Sequence, residues 1–294
     1  MSPWRGKRLI IFGCGYIGSA LARRARTYGL AVTTLTRNPT VAASLEAQGF
    51  STLLADLASD DWHGHLAGEF DAVVVCVGAG GPGVDGYRRS YVEGIRSVLR
   101  WVASTSRPPE FGLFTSSTSV YPQRDGERVD EQADTSASTG TARVLLEAEE
   151  LWRRSPFARR VVLRLAGIYG PGRHQLLDQL RSGAVEMRGG RQRLNLAHRD
   201  DIVGAITACL ENSSLMGDSV LNVADGTPSP REDVISWLAQ HLGRSAPVFT
   251  PPTRRDGEPV RDRIIVSDRL RAATGWRPIR ADFRAGYEAI REDA

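Results

Sequence analysis

Short apolar runs alternate with longer stretches of helical character over the first 170 residues. The strand-like runs are predicted at residues 8–13, 31–36, 51–55, 71–77, 111–115 and 160–165. Helical stretches between them include residues 19–28, 87–104 and 139–154. This alternation predicts a doubly wound α/β fold, in which a parallel sheet carries helices on both faces. In such a sheet, ligands bind at the carboxyl ends of the strands.

The pattern becomes less regular after Gly170-Pro171-Gly172, where short strand and helical pieces mix with loops rich in Pro and Gly. No long linker separates this part from the first. We therefore expect a main domain formed by residues 1–170 and a smaller C-terminal α/β substrate lobe formed by residues 171–294. The chain is expected to interleave between them, without a strict boundary.

The turn after the first predicted strand has the sequence Gly13-Cys14-Gly15-Tyr16-Ile17-Gly18 and leads into a helix. The order of strand, glycine turn and helix makes this G-x-G-x-x-G sequence a hypothesis for dinucleotide binding. Gly13 allows a sharp turn, Gly15 lets the backbone approach a pyrophosphate, and Gly18 lets the helix pack close to the strand. The helix N-terminus adds free N–H groups for the phosphates. We expect Gly13, Gly15, Tyr16, Ile17 and Gly18 to bind the cofactor.

The second and third predicted strands end in polar residues. Thr36-Arg37-Asn38 stands where an acidic residue would bind a ribose 2′-hydroxyl. Arg37 can instead pair with a 2′-phosphate, aided by donors on Thr36 and Asn38, which favours NADP(H) over the alternative, NAD(H). The other interpretation of Arg37 is a solvated loop residue. Asp56 precedes Leu57 after the third strand, and its carboxylate either accepts a bond from the adenine amino group or caps a turn.

Two further turns complete the predicted binding edge. Val77-Gly78-Ala79 follows the fourth strand, where the backbone can approach the cofactor closely, as a gate or as a plain connecting loop. Thr115-Ser116-Ser117 ends the fifth strand. Its hydroxyl groups are expected to face the nicotinamide, and the alternative is a turn rich in Ser and Thr with no such role.

Composition and charge argue against several other classes of protein. The 294 residues are 41% hydrophobic and 24% charged, and no apolar run is long enough for a membrane span. The net charge of +4 comes from arginines scattered among acidic residues, so we expect no nucleic-acid partner. The three cysteines lie far apart, and the apolar run before Gly13 is too short for a signal peptide. These features favour a reduced, cytoplasmic protein without a metal site.

Several later motifs follow the glycine turn in a recognisable order. They are Ser119-Val120-Tyr121, Ile168-Tyr169-Gly170-Pro171-Gly172, residues 195–201, Leu221-Asn222-Val223-Ala224 and Thr274-Gly275-Trp276-Arg277-Pro278. With them, nearly the whole chain resembles an extended or atypical short-chain dehydrogenase/reductase of the NAD-dependent epimerase/dehydratase family, and most of all its YeeZ-like branch. The resemblance implies a Rossmann domain that binds a nicotinamide dinucleotide, with Ile168 among the contacts, and a small-molecule substrate.

The catalytic pair of that family is changed in this sequence. Family members carry Tyr-x-x-x-Lys at the start of the helix after the active-site serine; the lysine lowers the pKa of the tyrosine and holds the ribose, and the tyrosine moves the proton. The aligned residues here are Thr139 and Arg143, and Lys7 is the only lysine of the chain. Arg143 can still hold a ribose, but it stays charged, and the hydroxyl of Thr139 is a poor general acid or base.

Other residues must then carry the proton if the protein is an enzyme. Ser117 is expected to orient the substrate oxygen. Tyr169, in the loop after the sixth strand, is a candidate for proton transfer, and the alternatives are Tyr121, His174, His198 and a water held by Ser117 and Thr139.

The expected function is that of an NAD(P)-dependent oxidoreductase or an epimerase/dehydratase-like enzyme acting on a polar small molecule, such as a sugar or a sugar nucleotide. The alternative is a redox-inactive NADP(H)-binding sensor or scaffold, which the missing tyrosine at position 139 supports. Related folds often form homodimers through the helices at residues 87–104 and 139–154. The apolar Val144, Leu145 and Trp152 would allow such a homodimer here.

Overall fold

Strands and helices alternate along the chain in the computed structural model, which describes residues 4–136, 138–251 and 261–292. The remaining residues of the two predicted domain ranges lie outside the described part. The strands are β1 (Arg8–Phe12), β2 (Ala31–Thr36), β3 (Ser51–Leu54), β4 (Ala72–Val75), β5 (Phe111–Ser117), β6 (Asp125–Val129), β7 (Arg159–Leu165), β8 (Gly167–Tyr169), β9 (Glu186–Arg188), β10 (Arg193–Leu194), β11 (Leu196–His198), β12 (Gly217–Val223), β13 (Ser229–Pro230), β14 (Val248–Thr250) and β15 (Asp262–Ile265). The α-helices are α1 (Tyr16–Thr27), α2 (Pro39–Ala47), α3 (Gly83–Tyr87), α4 (Gly94–Ser104), α5 (Gly140–Arg153), α6 (Gln175–Arg181), α7 (Arg199–Glu211), α8 (Arg231–His241), α9 (Asp268–Thr274) and α10 (Phe283–Glu292).

The central sheet contains seven strands within the described residues, in the order β12-β7-β5-β4-β1-β2-β3. All neighbouring strands in it run parallel. The prediction of a doubly wound parallel sheet is therefore confirmed. The strand order changes direction at β1, which lies between β4 and β2, and such a switch point opens a crevice at the carboxyl ends of the strands.

Helices cover both faces of this sheet because successive side chains of each strand point to opposite sides. In β1, Leu9 and Ile11 pack on the face that carries α1 and α7. Ile10 and Phe12 pack on the face that carries α4 and α5. All four side chains are 0% exposed, so β1 forms the centre of the core.

Helix α5 uses its apolar residues inside the chain. Val144, Leu145 and Trp152 are buried against the sheet and its neighbouring helices. The expectation that these three residues form a dimer contact is therefore wrong, because they are already covered. A homodimer through other residues stays a prediction.

The predicted helix over residues 87–104 is interrupted. α3 begins earlier and ends at Tyr87, the segment Arg88–Glu93 forms a π-helix, and α4 follows. Two short 3₁₀ turns also occur, at His63–His65 and Thr118–Val120. Across the described ranges, no helix is both long and apolar enough to cross a membrane.

A third apolar cluster lies in the C-terminal part of the chain. Its buried side chains come mainly from α6, α8 and α10 and include Leu177, Ile235, Phe283 and Tyr287. Part of the sequence after residue 170 nevertheless belongs to the main domain. α7 packs on the central sheet, and β12 is one of its strands. The division at residue 170 stays a prediction.

Candidate functional site

A cavity of about 660 Å³ opens at the carboxyl ends of the strands, where β1 and β4 meet. This size lies within the range of small-molecule sites, roughly 300–1,000 Å³. Most of the predicted cofactor residues line it, namely Gly13, Gly15, Tyr16, Ile17, Thr36, Arg37, Asn38, Asp56, Leu57, Val77, Gly78, Ala79, Thr115, Ser116 and Ile168. Of the predicted catalytic residues, Ser117 lines it too.

The glycine turn forms the floor of the cavity. Gly13 has a φ of +88°, and a Cβ there would stand 2.8 Å from the Val77 backbone, so only glycine fits between β1 and β4. A Cβ on Gly18 would stand 2.5 Å from the Gly13 oxygen, which explains the close packing of α1. At Gly15 a Cβ would meet nothing within 4 Å, because this backbone faces the open cavity.

Helix α1 directs its first N–H groups towards the same space. The first bond that closes the helix runs from the Ser19 N–H to the Gly15 oxygen, at 3.0 Å. The N–H groups from Tyr16 to Gly18 therefore precede the intrahelical ladder, which leaves them free for an anion. This open backbone and these donors fit a pyrophosphate group.

Cys14 lies beneath the turn and points away from the cavity. Its side chain is 0% exposed, and its thiol contacts the Ile11 oxygen. Burial raises the pKa of the Cys14 thiol to about 12, so it stays protonated. All three cysteines of the chain are free and buried.

A loop after β8 closes over the glycine turn. The Tyr16 hydroxyl donates a hydrogen bond to the Pro171 oxygen at 3.0 Å. The guanidinium groups of Arg173 and Arg199 lie 5.8 Å and 5.5 Å from the centre of the Tyr16 ring. Arg173 also lines the cavity, so this loop brings a positive charge beside the pyrophosphate-sized space.

Arg37 lies at the exposed rim, beyond the end of β2. Its guanidinium donates two long hydrogen bonds, of 3.3 Å to the Ala79 oxygen and 3.4 Å to the Gly80 oxygen. Within the described ranges, no carboxylate lies within ion-pair distance of it. The Asn38 side chain caps α2 by accepting from Thr40 N–H at 2.9 Å. The rim thus combines an uncompensated cation with a helix N-terminus, which suits a phosphate group.

Asp56 already has hydrogen-bond partners in this structure. Its carboxylate accepts from the Ala58 N–H at 3.0 Å and from Arg89 Nη2 at 2.7 Å. Burial tends to raise the pKa of Asp56, but these bonds outweigh it and the pKa is lowered. The carboxylate therefore caps a turn, as one of the two predicted interpretations stated, and it also lines the cavity beside Leu57.

The three polar residues that end β5 have different partners. The Thr115 hydroxyl donates to the Val75 oxygen at 3.2 Å, and the Ser116 hydroxyl donates to Glu149 at 2.6 Å. The Ser117 oxygen accepts from the Ser119 N–H at 3.1 Å. Only Ser117 keeps its hydroxyl hydrogen for a ligand, because accepting a bond leaves that hydrogen available.

Thr139 and Arg143 do not line the cavity. Thr139 is exposed at the N-cap of α5 and makes no capping bond through its side chain. Arg143 is exposed as well, and its Nε donates to the Ser138 oxygen at 3.3 Å. The structure does not bring these two predicted residues into the cavity lining.

Tyr169 is not at the cavity either. Its ring is 3% exposed, packs 5.2 Å from the Tyr287 ring and 5.3 Å from the His198 ring, and its hydroxyl has no hydrogen-bond partner. Burial raises the pKa of the Tyr169 phenol well above its ordinary value. Neither His198 nor His174 lines the cavity. None of Tyr169, His174 and His198 therefore lines the cavity as a proton-transfer group.

Other lining residues were not predicted. They are Leu35, Ala55, Cys76, Tyr87, Ser90, Tyr91, Leu145, Leu165, Ala166 and Gly167. Two of them, Tyr87 and Tyr91, carry phenol groups. Their spacing of four residues in a helical stretch was a signal that could have identified a shared face. In residues 4–136, 138–251 and 261–292, no group of His, Cys, Asp or Glu is arranged to hold a metal ion.

A sequence model described as the NAD dependent epimerase/dehydratase family matches residues 9–224. The chain belongs to this family. Protein YeeZ of Escherichia coli strain K12 is 30% identical over 251 residues, which cover 83% of this chain and 86% of YeeZ. The predicted membership and the resemblance to YeeZ are thus confirmed.

One further sequence relative and one solved structure are similar to this chain. The 3-diazoavenalumate denitrifying reductase of a Streptomyces species is 28% identical over 166 residues, which cover 50% of this chain and 51% of the reductase. The UDP-glucuronic acid 4-epimerase of Bacillus cereus, solved with UDP-glucuronic acid and NAD, superposes with a TM-score of 0.79 at 21% identity, covering 98% of this chain and 100% of the epimerase. The latter shows the same fold.

Proposed function

We propose that this family member is an NADP(H)-dependent oxidoreductase or epimerase/dehydratase-like enzyme that acts on a polar small molecule. The observation that carries the proposal is Arg37 at the rim of the cavity, with no acidic residue at the end of β2. A carboxylate at that place would favour a ribose 2′-hydroxyl, whereas a guanidinium that has no ion-pair partner among the described residues favours a 2′-phosphate.

The other contacts of the nucleotide follow from the cavity lining. Gly15 and the N–H groups of α1 would hold the pyrophosphate, with Arg173 beside it. Asp56 and Leu57 would bound the adenine, and Thr115 and Ile168 the nicotinamide. The nicotinamide, when bound, supplies or accepts a hydride at C4. Ser117 would donate its free hydroxyl hydrogen to the substrate oxygen and orient it.

The Ser117 end of the cavity indicates the substrate class. The Ser117 hydroxyl lines that end, and hydroxyl groups recognise oxygen-rich small molecules. One relative acts as a reductase, and a structural neighbour was solved with a nucleotide sugar. A sugar or sugar nucleotide is therefore the proposed substrate class.

The test is a fluorescence titration of the purified protein with NADPH and with NADH. Charge-assisted hydrogen bonds contribute about 1.5–3 kcal/mol, so Arg37→Ala should weaken NADPH binding by roughly 10- to 100-fold and leave NADH binding nearly unchanged. Arg23→Ala, which removes an exposed arginine of α1 away from the cavity, is the matched control and should bind both nucleotides like the wild type. Equal loss of both nucleotides in Arg37→Ala would contradict the NADP(H) preference, and no binding to the wild type would remove the enzyme proposal.

A redox-inactive NADP(H)-binding sensor or scaffold is the second candidate. It is favoured by the exposed Thr139 and Arg143 and by the burial of Tyr169 away from the cavity. Turnover of a carbonyl or hydroxyl substrate that is lost in Ser117→Ala would rule this candidate out.

A further inference from the structure

Reduction of a carbonyl needs a proton as well as a hydride. As the hydride reaches the carbonyl carbon, negative charge develops on the oxygen, and a positioned acid lowers the barrier by donating to it. The hydroxyl of Thr139 is too weak an acid, and Tyr169 is buried elsewhere. Neither of these two residues can therefore supply the proton at the cavity.

Two phenols line the same cavity as Ser117. They belong to Tyr87 and Tyr91, whose ring centres lie 5.3 Å apart. Both side chains are partly exposed, so their hydroxyl groups are not sealed in the core. Leu145 of α5 lines the cavity with them, which puts the pair beside the helix that would carry the usual tyrosine.

Helical spacing explains why both rings face one cavity. Residues four apart in a helix lie on the same face. Tyr91 belongs to the π-helical segment Arg88–Glu93, which follows Tyr87 directly. Such π turns are rare and occur frequently at functional sites.

An ion pair fixes this segment against α5. Arg88 donates to both carboxylate oxygens of Glu147, at 3.0 Å and 2.9 Å. Bidentate pairs of this kind define geometry as well as adding energy. Because Arg88 follows Tyr87 directly, the pair holds the Tyr87 backbone beside the first turns of α5.

Depth distinguishes the two phenols. The Tyr91 ring contacts the Phe114 ring, with centres 6.1 Å apart, and Phe114 lies three residues before Ser117 in β5. Tyr87 lies one helical turn nearer the carboxyl edge of the sheet, because helices run back along the strands that precede them. Tyr87 thus lies nearer than Tyr91 to the carboxyl edge of the sheet, where Ser117 ends β5.

We propose that Tyr87 is the proton donor of this family member and replaces the tyrosine missing at position 139. The proposal rests on the proposed function. In the reducing direction, hydride adds to the carbonyl carbon, the C=O π electrons move to the oxygen, and the Tyr87 hydroxyl transfers its proton to that oxygen. The product alcohol leaves, and solvent reprotonates the Tyr87 phenolate. One carbonyl and one proton are consumed as NADPH is oxidised to NADP⁺.

The test follows the ionisation of Tyr87 itself. Protein labelled with ¹³C at tyrosine Cζ is titrated between about pH 6.5 and 10.5 by NMR, once saturated with NADP⁺ and once with NADPH. The resonance that disappears in Tyr87→Phe is assigned to Tyr87. A positive charge within a few ångströms lowers the pKa of a phenol, so that resonance should titrate about one pH unit or more lower with NADP⁺. Asp85 and the Arg88–Glu147 pair carry the same charge with both nucleotides, so the comparison isolates the nicotinamide.

Tyr91→Phe is the matched control, because it removes the neighbouring cavity phenol and should keep the nucleotide-dependent titration. Identical titration of the Tyr87 resonance with both nucleotides would overturn the proposal. So would a responding resonance that survives in Tyr87→Phe and is lost in Tyr91→Phe. If the fluorescence titration detects no nucleotide binding to the wild type, the proposed function itself fails. The two failures are thereby distinguished.

Discussion

Gly15 and Gly18 lie three residues apart in one turn, yet a methyl group at each would act differently. Gly15→Ala places its methyl in the open cavity, so NADPH affinity should fall by at least tenfold while the melting temperature of the free protein changes little. Saturation with nucleotide stabilises a protein by roughly 2.7 kcal/mol at 100 times Kd. At the same NADPH concentration a tenfold weaker affinity leaves roughly 1.4 kcal/mol, so the thermal shift produced by NADPH should fall to about half or less in Gly15→Ala.

Gly18→Ala is the comparison for that experiment. Its methyl would stand 2.5 Å from the Gly13 oxygen, so the free protein itself should melt at a lower temperature. A Gly15→Ala protein that keeps the full NADPH-dependent thermal shift would contradict the assignment of this backbone to the pyrophosphate.

Asp225 links stability to pH. Its side chain is 6% exposed, and burial raises its pKa to about 6, with Asp282 adding to the shift. The folded chain thus binds this proton more tightly than the unfolded chain, and stability falls as pH rises from about 4 to about 6. Asp225→Asn should raise the free energy of unfolding by roughly 2–3 kcal/mol at pH 8 and by little at pH 4.

Urea denaturation of both proteins at the two pH values measures this difference. The amide oxygen of asparagine can still accept the 3.0 Å bond from the Thr227 N–H, so the turn is kept. An equal effect of the substitution at pH 4 and pH 8 would show that the Asp225 carboxyl does not titrate in this way.

Some residues act through their backbone, and the sequence predicted these well. Other residues act through the direction of their side chain, and the sequence predicted these less well. Gly13 and Gly15 face the cavity because their position after β1 fixes them. Arg143 lies four residues after Thr139, the spacing expected of a ribose ligand. Its guanidinium instead donates to the Ser138 oxygen, which belongs to the loop before α5. Tyr87 was not predicted, although its spacing of four residues from Tyr91 is a helical pattern that the sequence shows.

At the scale of elements, a buried ion pair joins α5 to β7. Arg164 and Glu149 are 6% and 3% exposed, and their closest atoms lie 2.6 Å apart. Burial tends to lower the pKa of Arg164, but the bonds to Glu149 outweigh it and leave the pKa raised, so the guanidinium stays charged. Breaking such a pair leaves an uncompensated charge, so Arg164→Met should cost about 3–5 kcal/mol of unfolding free energy.

The Arg164→Met/Glu149→Leu double variant should lose less than the sum of the two single variants, because neither charge remains buried alone. Urea denaturation of the wild type, the two single variants and the double variant gives the four free energies of this double-mutant cycle. Strict additivity would mean that the two side chains act independently. Since Glu149 also accepts the Ser116 hydroxyl, the pair holds the end of β5 beside the cavity.

Strands differ in how well the sequence predicts them. β4 is a continuous apolar run buried on both faces, which is typical of a central parallel strand. β12 begins with Gly217-Asp218-Ser219 and was missed, because its place beside β7 depends on pairing with a segment more than fifty residues away. The local sequence pattern is therefore enough to predict a strand such as β4, but it is not enough to predict a strand such as β12.

At the scale of the whole molecule, the N- and C-terminal parts hold each other. The Arg159 guanidinium of β7, 2% exposed, donates to the Cys209 and Asn212 oxygens at the end of α7, each at 2.7 Å. Trp4 Nε1 donates to the Leu210 oxygen at 2.7 Å. The end of α7 is thus capped by residues from the other half of the chain.

A fragment that ends at residue 170 should therefore fail to fold cooperatively, since it lacks α7 and the edge strand β12. Thermal unfolding followed by circular dichroism, with dye binding to exposed apolar surface, provides the measurement. A fragment that melts sharply near the temperature of the full chain would show that residues 1–170 form a self-sufficient domain.

The thiol of Cys14, beneath the glycine turn, can report how often this turn opens. Because Cys14 is sealed under the turn, an alkylating reagent can reach it only when β1 and α1 separate. The rate of its modification therefore measures the frequency of local opening of the turn. A pyrophosphate bound at the turn would lower this rate without contacting the sulfur.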